Sequence, residues 1–264
     1  MVETAPLRLL TIAGSDSGGG AGLQADLKTF AAHGAFGMSV VTAVTAQNTC
    51  GVRARLDLPP LLVTRQLEAV LEDLPPAAIK VGMLGSAGVV AAVAAGLRPL
   101  ARTVPIVVDP VLVAGSGDPL LDADAVEVLR AELLPLATVI TPNLLEAERL
   151  AGRAAAAEEL ALELAKTVPT LVKGGHGAGP ELEDVLAVGS RSERFRHARL
   201  RPDSVHGTGC TLAAALAVEL ARGRELPGAV ASAIAYVQRA IAGSRRLGRG
   251  QWVLLHPPET PGTP

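Results

Sequence analysis

The feature that most constrains this chain is a repeated change of hydrophobic period. Apolar runs of strand length alternate with longer stretches in which apolar residues recur every three or four positions. Residues 7–13, 36–45, 78–83, 105–109, 138–141 and 170–173 read as strands. Between them, residues 21–33, a segment opened by Pro59-Pro60, and residues 87–97, 122–134, 144–150 and 158–166 read as helices. Residues 48–58 alternate apolar and polar side chains (Val52, Ala54, Leu56, Leu58), which suits an edge strand or flap. Residues 185–188 and 193–198 read as a hairpin around Gly189-Ser190-Arg191. The last third is helical at 210–222 and 228–246, and the Pro-rich tail from Pro257 is expected to be loose. Strands that alternate with helices predict a mostly parallel sheet covered on both faces. Its ligands are expected at the carboxyl ends of the strands. No internal repeat or dividing linker interrupts the pattern, so a single α/β domain over residues 1–264 is expected.

Composition decides what fills that fold. Hydrophobic residues make up 49% of the 264 and charged residues 19%, which excludes a disordered chain. Three Phe, one Tyr and one Trp leave the core to Ala, Val and Leu. So few aromatics, a net charge of −2 and no basic block argue against nucleic-acid binding. Cys50 and Cys210 are too few for a disulfide framework. No apolar run approaches the ~18 residues of a membrane helix. The start Met1-Val2-Glu3-Thr4-Ala5-Pro6 lacks the regions of a signal peptide. A cytoplasmic protein with no membrane partner is expected.

Five segments carry candidate chemistry. Gly14-Ser15-Asp16-Ser17-Gly18-Gly19-Gly20-Ala21-Gly22 links a strand to a helix, where glycines admit a ligand close to the backbone. It is neither a dinucleotide fingerprint, since Leu23 stands where the third glycine belongs, nor a P-loop, since no Lys-Ser or Lys-Thr follows. Val107-Val108-Asp109-Pro110 ends a buried strand on a carboxylate that either faces a ligand or caps a turn. Gly115-Ser116-Gly117-Asp118 after it reads as a mobile loop over a site. In Thr141-Pro142-Asn143-Leu144-Leu145-Glu146, Asn143 and Glu146 either form a helix cap or face hydrated Mg²⁺, and the sequence favours the cap. Lys173, followed by Gly174-Gly175-His176-Gly177, ends an apolar strand where it can reach a polyphosphate. In His206-Gly207-Thr208-Gly209-Cys210-Thr211, free amides at a helix start predict an anion hole. The same dipole is expected to lower the pKa of Cys210. No His and Cys group has zinc-site spacing.

Taken in order, these pieces resemble the hydroxymethylpyrimidine/phosphomethylpyrimidine kinases of the ribokinase-like superfamily. The resemblance runs from about Leu9 to Arg246. It rests also on Gln24-Ala25-Asp26-Leu27-Lys28-Thr29, on residues 42–52, and on Lys80-Val81-Gly82-Met83-Leu84. It implies a mostly parallel sheet flanked by helices, with a small flap, usually as a homodimer. It also implies two successive ATP- and Mg²⁺-dependent phosphorylations of 4-amino-5-hydroxymethyl-2-methylpyrimidine in thiamine biosynthesis. On matching positions, Gly14, Asp26, Gln47, Met83 and Val111 resemble pyrimidine-binding residues. Asp109, Asn143 and Glu146 resemble the Mg²⁺ and phosphate positions, and Lys173 the lysine on the ATP phosphates. The stretch Gly207-Thr208-Gly209-Cys210 resembles the anion hole, with Cys210 as base. Related pyridoxal kinases are the alternative. An oxidoreductase and a non-catalytic vitamin-binding module are weaker ones. The scarcity of aromatics further predicts an aliphatic adenine pocket near the final helices.

Overall fold

The computed structural model describes residues 5–113, 120–174, 179–200, 202 and 205–259. One nine-stranded sheet dominates, in the order β3-β2-β1-β4-β5-β6-β7-β8-β9. Its strands are β1 (Arg8–Asp16), β2 (Phe36–Asn48), β3 (Gly51–Asp57), β4 (Ala78–Val81), β5 (Ile106–Val108), β6 (Val139–Ile140), β7 (Thr170–Val172), β8 (Glu181–Val188) and β9 (Arg191–Ala198). The six central strands, β2 to β7 across the sheet, are parallel. β3 pairs antiparallel at one edge, and β8 and β9 do so at the other. This is the predicted ribokinase-like α/β class.

Side-chain parity explains why the central strands read as continuous apolar runs. Leu10, Ile12, Ile79, Val81, Ile106, Val108 and Ile140 face one layer, built by α2 (Pro60–Asp73), α3 (Ala87–Leu97) and α4 (Ala125–Val128). The intervening Leu9, Ala78, Val107, Val139 and Leu171 face α1 (Gly22–Ala32), α7 (Thr208–Ala221) and α8 (Leu226–Ala242). Both faces are covered, so no polar alternation is left to see. α7 is buried from Thr211 to Glu219, and its alanines let it lie close against the sheet. Two further helices, α5 (Leu144–Ala151) and α6 (Ala157–Leu164), cover the part of the sheet around β7 and β8.

Differences from the expected elements are local. β1 continues to Asp16 through the first glycine, with a register shift between Ala13 and Ser15. The helix expected at 122–134 begins at Ala125 and loosens into a π turn at Leu129–Leu133 and a 3-10 turn at Leu134–Leu136. The last helix stops at Ala242 rather than near Arg246. A parallel pair, β10 (Val205–His206) with β11 (Trp252–Val253), was not expected, because two-residue strands carry no period. At the tail, the Glu259 amide donates to Ala32 O and its carboxylate pairs with Arg239, so residue 259 is anchored. The expected loop at Gly115–Asp118, His176 and residues 260–264 lie outside the described residues. Among the described residues no helix is long and apolar enough to cross a membrane.

Candidate active site

The chain turns back on itself between β1 and β4: β2 lies on one side of β1, while β4 to β7 extend on the other. A crevice at the carboxyl ends of such a sheet is where α/β folds take ligands. Here a cavity of about 1000 Å³ collects Gly14, Gln47, Met83, Asp109, Val111, Asn143, Glu146, Lys173 and the Gly207 to Cys210 turn.

The first glycine run is folded around Asp16. Asp16 Oδ1 accepts the Gly18 amide at 2.8 Å, and Oδ2 accepts the Gly20 and Ala21 amides at 3.0 and 2.9 Å. His206 Nε2 lies 2.9 Å from the same Oδ2 and 3.2 Å from Gln47 Nε2. Burial pushes the Asp16 carboxyl upward, but the bonds from His206 and the Gly18 and Ala21 amides outweigh it, leaving the pKa below the ordinary value. These amides, expected to approach a ligand, are spent on a carboxylate of the chain itself. Sequence reasoning missed both Asp16 and His206. The available signal was an acidic residue inside a glycine run at a strand end.

Four of the five residues expected to bind a pyrimidine line the cavity: Gly14, Gln47, Met83 and Val111. A Cβ on Gly14 would stand 2.8 Å from Met83 Sδ, so the glycine makes room for that side chain. Met83 and Leu120 form an apolar patch with Ala43, flanked by Val52 and Val111. Asp26 does not line the cavity. It is fully buried, and its Oδ2 accepts the Thr11 hydroxyl at 2.6 Å and the Lys80 ammonium at 2.8 Å. Lys80 reaches the cavity wall instead. In this structure Asp26 is held in an ion pair with Lys80.

Asp109 lies at the end of β5, where Oδ1 accepts Lys173 Nζ at 2.8 Å and the Thr141 hydroxyl at 3.1 Å. Asn143 and Glu146 form the helix cap that the sequence favoured: Asn143 Oδ1 accepts the Glu146 amide at 2.9 Å, and Glu146 Oε2 accepts the Asn143 amide at 2.8 Å. Burial pushes the Glu146 carboxyl up to about 7, against the pull of Lys173. Among the described residues no three His, Cys, Asp or Glu side chains form a metal cluster. Two buried carboxylates, Asp109 and Glu146, in a cavity that Lys173 also lines nevertheless fit Mg²⁺, which takes one or two carboxylates and completes its shell with water and substrate phosphates.

α7 starts at Gly207, whose φ of +85° is left-handed and whose Cβ, if present, would stand 1.8 Å from Gly20 O. The first turn, Gly207 to Cys210, lines the larger cavity together with Lys173 and Asp109. A Cβ added to Gly209 would lie 3.1 Å from Lys173 Nζ. Cys210 corrects one expectation. Burial pushes its thiol up to about 11, with Asp26 and Asp109 adding to the rise and Lys80 and the Gly22 amide opposing it. Desolvation outweighs the helix start, so the resting side chain is a thiol.

A second cavity, of about 170 Å³, shares Lys173, Val205, Thr208 and Gly209 with the first. Leu182, Leu212, Ile234, Val237 and Ile241 give it aliphatic walls. Tyr236 and Trp252 are not among its lining residues; Tyr236 is buried with its ring centroid 4.4 Å from that of His33.

A parallel sheet whose strand ends bring a lysine, carboxylates and a glycine-rich helix start to one point defines a small-molecule kinase of the ribokinase-like class. Residues 16–254 match the family model for phosphomethylpyrimidine kinase, and the chain belongs to that family. It is 50% identical over 251 residues to the hydroxymethylpyrimidine/phosphomethylpyrimidine kinase of Rhizobium meliloti, covering 92% of this chain and 93% of that one. The crystal structure of phosphomethylpyrimidine kinase from Clostridium difficile superposes with a TM-score of 0.78 at 41% identity, over 89% of this chain and 99% of that one. Pyridoxal kinase from Staphylococcus aureus in complex with ADP superposes with a TM-score of 0.87 at 32% identity, over 96% and 94%.

Proposed function

We propose that this kinase transfers the γ-phosphoryl group of ATP first to the hydroxymethyl group of 4-amino-5-hydroxymethyl-2-methylpyrimidine and then to the resulting monophosphate. The observation that carries the reading is the meeting of two cavities at the start of α7. The larger offers Gln47 beside the Met83 and Val111 patch, which suits a small methylated aminopyrimidine. The smaller is an aliphatic slot of the kind a purine base fills. Lys173, Thr208 and Gly209 belong to both, which supports a position between acceptor and donor.

Phosphoryl transfer asks the protein for positioning and charge stabilisation more than for covalent chemistry. Lys173 and the amides of Gly207, Thr208, Gly209 and Cys210 supply positive charge where the phosphoryl group moves. Asp109 orients Lys173 through their ion pair. Asp109 and Glu146 would hold Mg²⁺, which neutralises charge on the ATP oxygens, while Asn143 keeps Glu146 in place. Cys210 contributes as a thiol at the acceptor: it orients the alcohol in the first transfer and relays its proton late, the sulfur accepting the alcohol proton as the S–H hydrogen passes to an oxygen of the transferred phosphoryl group. The second acceptor is a phosphate oxygen, largely ionised at neutral pH because its second pKa is about 6, so it needs no base.

The chain acts as a homodimer in this reading. Val44 and Leu56, paired across β2 and β3, are 47% and 68% exposed, an apolar pair suited to a second copy. Incubation with ATP, Mg²⁺ and each candidate alcohol, followed by mass analysis of the products, tests the activity. A pyrimidine diphosphate is expected. Phosphorylation of pyridoxine alone would overturn the reading.

A further inference from the structure

The smaller cavity carries a chain of polar groups that its aliphatic walls do not explain. α8 presents Ile234, Val237, Gln238 and Ile241 to it, spaced as one helical face. Opposite, the β8–β9 hairpin contributes Leu182, Asp184 and His197, with Leu182 and His197 directly paired. Asp184 Oδ1 accepts the Gly174 amide at 2.7 Å, and Oδ2 lies 3.1 Å from His197 Nε2. His197 Nδ1 lies 2.9 Å from Gln238 Nε2.

The order of donors follows from the carboxylate. An ionised carboxylate only accepts, so His197 Nε2 carries the ring hydrogen. The Asp184 hydrogen bond raises the His197 pKa, and above that pKa Nδ1 of the neutral ring is an acceptor to which the Gln238 amide nitrogen donates. That fixes the amide: nitrogen toward His197, carbonyl Oε1 left without a partner among the described residues. We propose that Gln238 reads the purine base of the phosphoryl donor through this carbonyl, with His197 and Asp184 as positioning residues that select 6-aminopurines over 6-oxopurines. This deepens the reading of the smaller cavity as the base site and rests on it. A 6-amino group donates to Oε1. A 6-oxo group sets two acceptors against each other in an aliphatic slot, where an unmade bond is expensive.

The test compares kcat/KM for ATP and ITP, which differ only around position 6 of the base, at pH 8.5 to favour the neutral His197 ring. The full-length protein is expected to prefer ATP about tenfold to a hundredfold. Gln238→Leu is expected to bring the ratio within about threefold. His197→Phe keeps the ring and releases the amide, so it too is expected to lower the ratio while the KM for the pyrimidine stays put. A ratio near one in the unmodified protein, or an unchanged ratio in Gln238→Leu, would overturn the proposal. Ile241→Trp, or Leu182→Trp should that variant not fold, separates this failure from a deeper one. If filling the cavity raises the KM for both nucleotides while Gln238→Leu leaves the ratio alone, the carbonyl readout fails by itself. If filling leaves both KM values unchanged, the cavity is not the base site and both readings fall.

Discussion

Lys80 Nζ donates to Asp26 Oδ2 across 2.8 Å, and neither side chain has any exposure. Burial disfavours the charge on each. Lys80 nonetheless stays cationic: burial lowers its pKa, but Asp26, with Cys210 and Asp109 adding to it, outweighs that and leaves the pKa above the ordinary lysine value. Such a pair adds little net stability, but removing one partner leaves the other charge buried and alone. Asp26→Asn and Lys80→Met are each expected to cost about 3–5 kcal/mol in urea unfolding, and the double variant to recover a large part of that. Additive losses would show that the two do not act as a pair.

The Cys210 thiol, held up at about 11 by burial, makes a specific kinetic prediction. Cys210→Ala is expected to slow the first transfer about tenfold to a hundredfold and the second less than about threefold, because only the first acceptor has an alcohol proton to lose. Cys210→Ser, which keeps a hydrogen-bonding group, is expected to fall between. Single-turnover assays with the alcohol and with the monophosphate measure each step. Equal losses in both would show that Cys210 serves the anion hole and not the acceptor.

Much of this architecture was legible in the sequence, and what was not has a common physical cause. Period alone located every central strand, since a strand covered on both faces is apolar throughout. Lys173 and Asp109 were legible because each ends an apolar run, and the α7 start because its glycines open an apolar helix. What could not be read depends on which strands become neighbours. Asp16 meets His206 across 190 residues, and Lys80 meets Asp26 across 54. The thiol of Cys210 was misjudged for the same reason: the helix start is local, whereas the burial and the carboxylates that raise its pKa come from β5 and α1.

His256 carries the pH prediction. It lies 3.2 Å from the Thr211 hydroxyl, and burial, aided by Lys28 and His33, pushes its pKa down to about 4. In the unfolded chain the ordinary value of about 6.5 applies. Between these values the unfolded state binds the proton and the folded state does not, so stability falls as pH drops from about 6.5 to about 4. His256→Gln removes that titration. Its Tm is expected to decline less than that of the unmodified protein over this window, while above about pH 7.5 the two curves run parallel. Identical pH slopes would assign the acid sensitivity to other groups.

The exposed pair at the sheet edge tests the oligomer. Leu56→Asp sets a charge on the exposed Val44 and Leu56 pair without touching the core, and is expected to convert a dimer into a monomer in light scattering. A dimer that survives would move the interface elsewhere.

The start of α7 offers the sharpest contrast, because its two glycines are needed for different reasons. Gly207 sits at φ +85°, and a Cβ there would stand 1.8 Å from the backbone oxygen of Gly20. Backbone cannot yield as a side chain can, so Gly207→Ala must shift either the first glycine run or the helix start. It is expected to lower stability by about 2 kcal/mol or more and to reduce kcat at least a hundredfold, since the amides lose their common aim. Gly209 has an ordinary backbone conformation, and its Cβ would meet the far end of Lys173 at 3.1 Å and Asp109 Oδ2 in ordinary contact at 3.6 Å. Lys173 can move by a few tenths of an ångström, so Gly209→Ala is expected to leave the Tm within about 2 °C of the unmodified protein while lowering kcat about tenfold. Thermal unfolding and steady-state kinetics on the two variants separate the roles. If Gly209→Ala lost stability as Gly207→Ala does, its glycine would serve packing and not the passage of phosphate past Lys173.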